Sequence, residues 1–106
     1  MEVTKLQYDG FDWNEGNIQK AQRHGVTLEE IKDFFDQLLL VLEDHRHSQS
    51  EIRFIAVGLS KKKRTLFVVY TLRKKDLEVW VRVISARYAH KKERDAYEKL
   101  KKNIEK

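Results

Sequence analysis

The chain has 106 residues, 37% of them charged and 41% hydrophobic, with a formal net charge of +5, enough for one domain around one modest core. It has no cysteine and no proline, which excludes a disulfide framework and thiolate chemistry and fits a cytoplasmic protein. No apolar run reaches the roughly 18 residues of a membrane span, and the start Met1-Glu2-Val3-Thr4-Lys5 lacks the basic-then-apolar order of a secretion signal.

Residues 1–106 read as a single unit, without an internal repeat or a low-complexity linker. A short strand is expected near residues 5–8. Asp12 stands three residues before Glu15, the spacing of a capping box, and predicts a first helix opening at about residue 13. Gly25 ends it, since glycine enters the left-handed region without steric cost. The next start signal is Thr27 as N-cap with Glu30 at N3, while Val26 and Ile31 occupy the hydrophobic-staple positions. Leu28, Ile31, Phe34 and Phe35 mark the buried face of this second helix.

From residue 38 to 43 the pattern turns to strand, followed by a polar loop holding His45, Arg46, His47, Ser48, Gln49 and Ser50. Three strands follow over residues 51–59, 65–73 and 77–87, joined by short basic turns at 60–64 and 74–76, which predicts an antiparallel meander. The last helix, over about 90–104, carries Ala89, Ala96, Tyr97, Leu100 and Ile104 at helical spacing. The order is β-α-α-β-β-β-β-α, and the fold class is α+β with an antiparallel sheet.

Glu51, Arg53, Arg73, Arg82 and Arg87 stand inside these apolar strands. Charge in such places is costly unless paired, set at an edge or kept for chemistry. Four arginines and one carboxylate suit a phosphate-bearing partner. If residue 59 faces 65 across the first turn, Glu51 lies opposite Arg73 and Arg53 opposite Thr71 on one sheet face. Phe54, Tyr70, Trp80 and Arg82 then share the other face, as helix-covered core or as a platform for bases. Residues 1–57 hold six Lys/Arg and eleven Asp/Glu, whereas residues 58–106 hold sixteen and six. The basic half attracts polyanions, chiefly nucleic acid, or an acidic protein that masks it.

Several stretches, taken in order, carry a resemblance. They are Phe11-Asp12-Trp13-Asn14-Glu15-Gly16-Asn17; Arg23-His24-Gly25-Val26-Thr27 with Glu29-Glu30; His47-Ser48 before Glu51-Ile52-Arg53; Tyr70-Thr71-Leu72-Arg73; and Arg82-Val83-Ile84-Ser85-Ala86-Arg87 with Glu93-Arg94 and Tyr97. Together they resemble the BrnT family of toxins over nearly the whole chain. Where many members carry lysine before the His-Gly pair, this chain has Arg23, and its nearest lysine is Lys20. The resemblance implies a RelE-like fold and a ribonuclease toxin of a type II toxin–antitoxin pair that cleaves RNA without a metal. It also implies a cognate BrnA-like antitoxin, in a heterotetramer built on an antitoxin dimer.

RNA carries its own nucleophile, the 2′-hydroxyl. A site needs to orient it, accept its proton, stabilise the charge on phosphorus and protonate the leaving 5′-oxygen. Arginine suits the third task because its planar fork donates two hydrogen bonds and stays ionised. Arg53 and Arg87 are the first choices, with Arg73 third. Glu51 or His24 fits the base, and His24 or His47 the proton donor. The rival readings are structural: His24 as a helix cap, Glu51 and Arg73 as a cross-strand ion pair, His45 and His47 as ordinary loop residues, and Trp13 and Trp80 as core. RNA-binding candidates are Lys20, Lys61, Lys62, Lys63, Arg64, Arg82 and Trp80, the basic turn serving as a phosphate contact. The four histidines lack close acidic partners at ligand spacing, so no metal or other cofactor is expected. The alternative function is a non-catalytic nucleic-acid-binding or partner-binding module.

Overall fold

The structure, a computed structural model, describes residues 2–47 and 49–104. Ser48 and the side chain of Ile104 lie outside the described residues. The strands are β1 (Glu2–Lys5), β2 (Gly10–Phe11), β3 (Leu38–Glu43), β4 (Arg53–Leu59), β5 (Thr65–Lys75) and β6 (Glu78–Tyr88). The helices are α1 (Glu15–Gln22), α2 (Leu28–Phe34) and α3 (Lys91–Ile104), and a single 3-10 turn, His45–His47, follows β3. No helix among the described residues is long and apolar enough to cross a membrane.

The strongest local signal holds as read. Thr27 Oγ1 accepts from the Glu30 N–H at 3.1 Å, and Glu30 Oε1 accepts from the Thr27 N–H at 3.2 Å, so α2 opens on a reciprocal capping box. Gly25, at φ 87, takes the left-handed conformation that stops the preceding helix. α1, however, begins later than expected. Its N-cap is Asn14, whose Oδ1 accepts from the Asn17 N–H at 2.9 Å. Asp12 is drawn away because its N–H donates to the Val81 carbonyl at 2.8 Å.

That bond belongs to an element absent from the sequence reading. The six strands run in the order β1-β3-β4-β5-β6-β2, and β2 lies parallel to β6, pairing Gly10 with Trp80 and Phe11 with Val81. The sheet is therefore mixed, not purely antiparallel. A two-residue strand has no periodicity of its own, and β2 exists because Asp9 grips Val79 through two bonds of 2.8 and 2.6 Å. The first strand also lies earlier than residues 5–8, since its ladder is set by β3, with Glu2 opposite Val41 and Lys5 opposite Leu38.

The meander keeps the expected first register, Leu59 opposite Thr65 and Arg53 opposite Thr71. Between β5 and β6 it shifts: Val69 faces Ser85, while Tyr70 faces Val83, leaving Ile84 as an extra residue in a bulge. A bulge reverses the phase of everything beyond it. Arg82 consequently faces Thr71, and Trp80 faces Arg73. Both join the arginine face instead of sharing the Phe54–Tyr70 face. Phe54 and Tyr70 stack at 5.5 Å on the opposite side, where Ala56, Leu66, Val68, Val81, Val83 and Ala86 meet Ile31, Phe34 and Phe35 in the buried core. Gly58 permits the closest approach there, because a β-carbon on it would stand 2.6 Å from Leu39 Cδ2.

Candidate active site

The face turned away from α2 carries the strand arginines. Arg53, Thr71 and Arg82 are cross-strand neighbours on β4, β5 and β6, so the two arginines rise about 10 Å apart with Thr71 between them. Arg73 stands two residues further along β5 on the same face. Thr71 Oγ1 donates to the Ile52 carbonyl at 2.7 Å, which holds the Glu51 segment against β5. These residues and α1 enclose an open cleft of about 370 Å³. The sheet contributes Glu51, Arg53, Arg73 and Arg82, and the helix contributes Asn14, Asn17 and Lys20.

α1 is fixed beside the cleft by Asn17. The residue is 7% exposed, and its Nδ2 donates to the Val83 carbonyl next to the bulge. Lys20, one turn on, thereby faces the same cleft as the strand arginines.

Two carboxylates meet the guanidinium groups at long range. Asp12 Oδ2 lies 3.6 Å from Arg73 Nε and 3.8 Å from Arg82 Nη1, and Glu51 Oε2 lies 3.7 Å from Arg73 Nη2. All three separations exceed ordinary hydrogen-bond length. Loose pairing of this kind neutralises the cations without consuming their directional donors, which suits a site whose ligand is a phosphate diester. The Glu51–Arg73 pairing expected from the register is thus present, and Asp12, read as a helix cap, is a second acidic neighbour.

Arg87 is placed elsewhere. It faces Phe67, four residues along β5 from Thr71, or roughly 13 Å, and does not line the cleft. Its Nη1 and Nη2 donate to Glu93 Oε1 and Oε2 at 2.7 and 2.8 Å, and its guanidinium carbon lies 4.3 Å from the Phe67 ring centroid. The bond from Arg87 pulls the Glu93 carboxyl down to about 2. The two arginines placed first by sequence are therefore not brought together; Arg73 and Arg82 stand with Arg53 instead. His24 is exposed in the turn after α1 and does not line the cleft.

The basic turn is less open than its composition implies. Lys61 Nζ reaches Asp33 at 3.1 Å and Lys62 Nζ reaches Glu30 at 3.4 Å. The Arg64 guanidinium covers the Tyr88 ring at 3.6 Å. Burial works to raise the Glu30 pKa, but bonds from the Tyr88 hydroxyl and the Thr27 N–H, with Lys62 beside it, hold it lowered. Trp80 packs so closely on β2 that a β-carbon on Gly10 would stand 2.7 Å from its ring, which makes it a part of the fold rather than a free stacking platform.

Asp44 and His47, beyond the end of β3, join Nδ1 to Oδ2 at 2.8 Å, and the Asp44 N–H donates to the Arg53 carbonyl at 2.8 Å. Sequence reasoning passed over Asp12, Asn17 and Asp44 as site residues. Asp12 and Asn17 lie within the first stretch singled out, but their partners are distant in sequence or set by a bulge; Asp44 falls between the strand read at 38–43 and the loop at 45–50, and only its pairing with His47 marks it. A family model described as "Ribonuclease toxin, BrnT, of type II toxin-antitoxin system" matches residues 13–93. No curated protein matches the chain.

Proposed function

Because the chain belongs to the BrnT family of ribonuclease toxins of type II toxin–antitoxin systems, we propose that it is an endoribonuclease that cuts RNA without a metal, by attack of the substrate's own 2′-hydroxyl, in the cleft of Arg53, Arg73 and Arg82. The observation that carries this reading is the bulge at Ile84, which brings Arg82 onto the face of Arg53 and Arg73. In this reading the scissile phosphate displaces Asp12 and Glu51 from their loose contacts, and the guanidinium forks take the non-bridging oxygens. Charge that develops on phosphorus then meets donors already in place, which is the largest single contribution such a site makes.

Glu51, released from Arg73, accepts the proton of the 2′-hydroxyl. Lys20 and the basic turn contact flanking phosphates, giving affinity and salt dependence without sequence choice. Arg87 acts through the fold, by holding the start of α3 to β6. The natural partners are RNA and a BrnA-like antitoxin, in a heterotetramer built on an antitoxin dimer, acting in the cytoplasm where the RNA is. Producing the protein alone is expected to arrest growth, and co-production of the partner to relieve it.

The deciding experiment incubates purified protein with end-labelled single-stranded RNA and EDTA. Cleavage leaving a 2′,3′-cyclic phosphate is the expected result. Retention of the RNA without cleavage would replace this reading with that of a non-catalytic binder, and dependence on added divalent metal would overturn the mechanism.

A further inference from the structure

With Lys20 assigned to a flanking phosphate, no residue of the cleft is left to protonate the leaving oxygen. Arginine does not give up its proton, and the carboxylate of Glu51 is occupied in taking one. Asp44 directly follows β3, whose last ladder pair is Glu43 with Phe54, and its N–H donates to the Arg53 carbonyl at 2.8 Å. Cross-strand neighbours point to one side of a sheet. Glu43 therefore falls with Phe54, and Asp44 with Arg53. The histidines of the next turn are sorted in the same way: His45 Nδ1 pairs with Glu43 at 2.6 Å and His47 Nδ1 with Asp44 at 2.8 Å.

We propose that His47, oriented by Asp44, is the general acid that protonates the leaving 5′-oxygen during RNA cleavage, an inference that rests on the ribonuclease reading of the Arg53 cleft. The turn that places it is fixed by the His47 N–H donating to the Asp44 carbonyl at 3.2 Å. The Asp44 side chain is 15% exposed and that of His47 is 63% exposed. The carboxylate is held and engages Nδ1, so Nε2 is the ring nitrogen presented to a ligand. A carboxylate on Nδ1 sets the orientation and tautomer of the ring and faces the positive charge of the imidazolium, the form that has a proton to give.

The layout suits in-line displacement. Glu51 reaches toward β5 through Arg73, whereas Asp44 and His47 lie on the β3 side of Arg53. Asp44 and His47 do not line the cleft itself; they border it beyond Arg53, so a phosphate held by Arg53 takes its base from one flank and its acid from the other. In the step, the 2′-oxygen passes its proton to Glu51 and bonds to phosphorus. The bond from phosphorus to the 5′-oxygen breaks, and that oxygen keeps the electron pair and takes the Nε2 proton. The products are a 2′,3′-cyclic phosphate and a 5′-hydroxyl, with Glu51 protonated and His47 neutral until solvent resets both.

The test uses single-turnover cleavage of a short single-stranded RNA, made in two forms at the linkage the wild-type protein cuts: with the natural 5′-oxygen, or with sulfur in that bridging position. A thiolate leaves without being protonated. His47→Ala and His47→Gln are expected to slow the oxygen substrate by roughly 10²–10⁴-fold and to cleave the sulfur substrate at close to the wild-type rate. Asp44→Asn, a change in a positioning residue, should give a smaller loss that sulfur also rescues. Arg53→Ala should be slow on both substrates. Equal losses of the His47 variants on both substrates, or no loss on the oxygen form, would overturn the general acid and leave the ribonuclease reading intact. Failure of the wild-type protein to cut either substrate would overturn both.

Discussion

Arg82 and Arg87 stand five residues apart on one strand and on one face of the sheet, yet they are held in opposite ways. Arg87 meets Glu93 through two bonds of 2.7 and 2.8 Å, a bidentate, charge-assisted pair that fixes both side chains. Arg82 and its neighbour Arg73 face Asp12 and Glu51 at 3.6 to 3.8 Å, close enough to feel the charge and too far for a good hydrogen bond. A guanidinium that has spent its fork on a carboxylate has little left for a phosphate. The looser pair marks the end of the sheet where chemistry is expected, and the tighter one the end where α3 is anchored.

The comparison is broken most directly by removing each arginine in turn. Arg53→Ala and Arg82→Ala should each reduce single-turnover RNA cleavage by about 10²–10³-fold, the scale of one lost transition-state donor, with little change in melting temperature. Lysine at either position should restore only part of the rate, because a point charge cannot reproduce bidentate geometry. Arg87→Ala should show the reverse pattern, retaining cleavage and losing about 1 kcal/mol of stability, as befits a bidentate ion pair that is still partly open to solvent. A melting temperature lower by roughly 4–8 °C is the corresponding reading. Cleavage lost in Arg87→Ala and kept in Arg82→Ala would invert the assignment.

Acid titration sharpens the same contrast. Glu93 is depressed from 4.5 to about 2, chiefly by its bond to Arg87. A lowered folded-state value means that the stability from this group is fully present above pH 4.5 and is lost as pH falls toward 2. Wild-type protein should therefore lose more stability across that window than Arg87→Ala, when both are followed by chemical denaturation at each pH. Parallel curves would show that the pair contributes nothing in solution.

The smallest effect is expected at the basic turn. Neutralising Lys62 and Lys63 should weaken RNA binding evenly across sequences and reduce the salt slope by up to about two, with the chemical step nearly intact. Lys62 already pairs with Glu30, so its share should be the lesser. Binding isotherms at several salt concentrations measure this directly, and a change confined to one RNA sequence would assign the turn to base readout.

Much of the fold was legible because its signals are short-range. The α2 capping box needs only Thr27 and Glu30, and the β4–β5 register needs only a tight turn at 60–64. The bulge is visible only in the burial, where Val81 and Val83 are followed by Ala86, a slip of phase between odd and even positions; in the sequence Val79, Trp80, Val81, Val83 and Ile84 are apolar at both. That slip is what moves Trp80 and Arg82 to the Arg53 face. β2 left no trace, since two residues carry no period and its ladder depends on a strand almost seventy residues away.

The sequence by itself determined the residue types of the chemistry: arginines inside strands, one carboxylate beside them, histidines in the following loop, and a basic second half. How each of those arginines is paired was decided by tertiary structure alone. Arg87 is occupied because a helix turn returns Glu93 to it, and Arg82 is loosely held because β2 delivers Asp12 from the other end of the chain. Side-chain chemistry is a property of each residue, but pairing depends on what the folded backbone brings within a few ångströms, and that distance is not written locally.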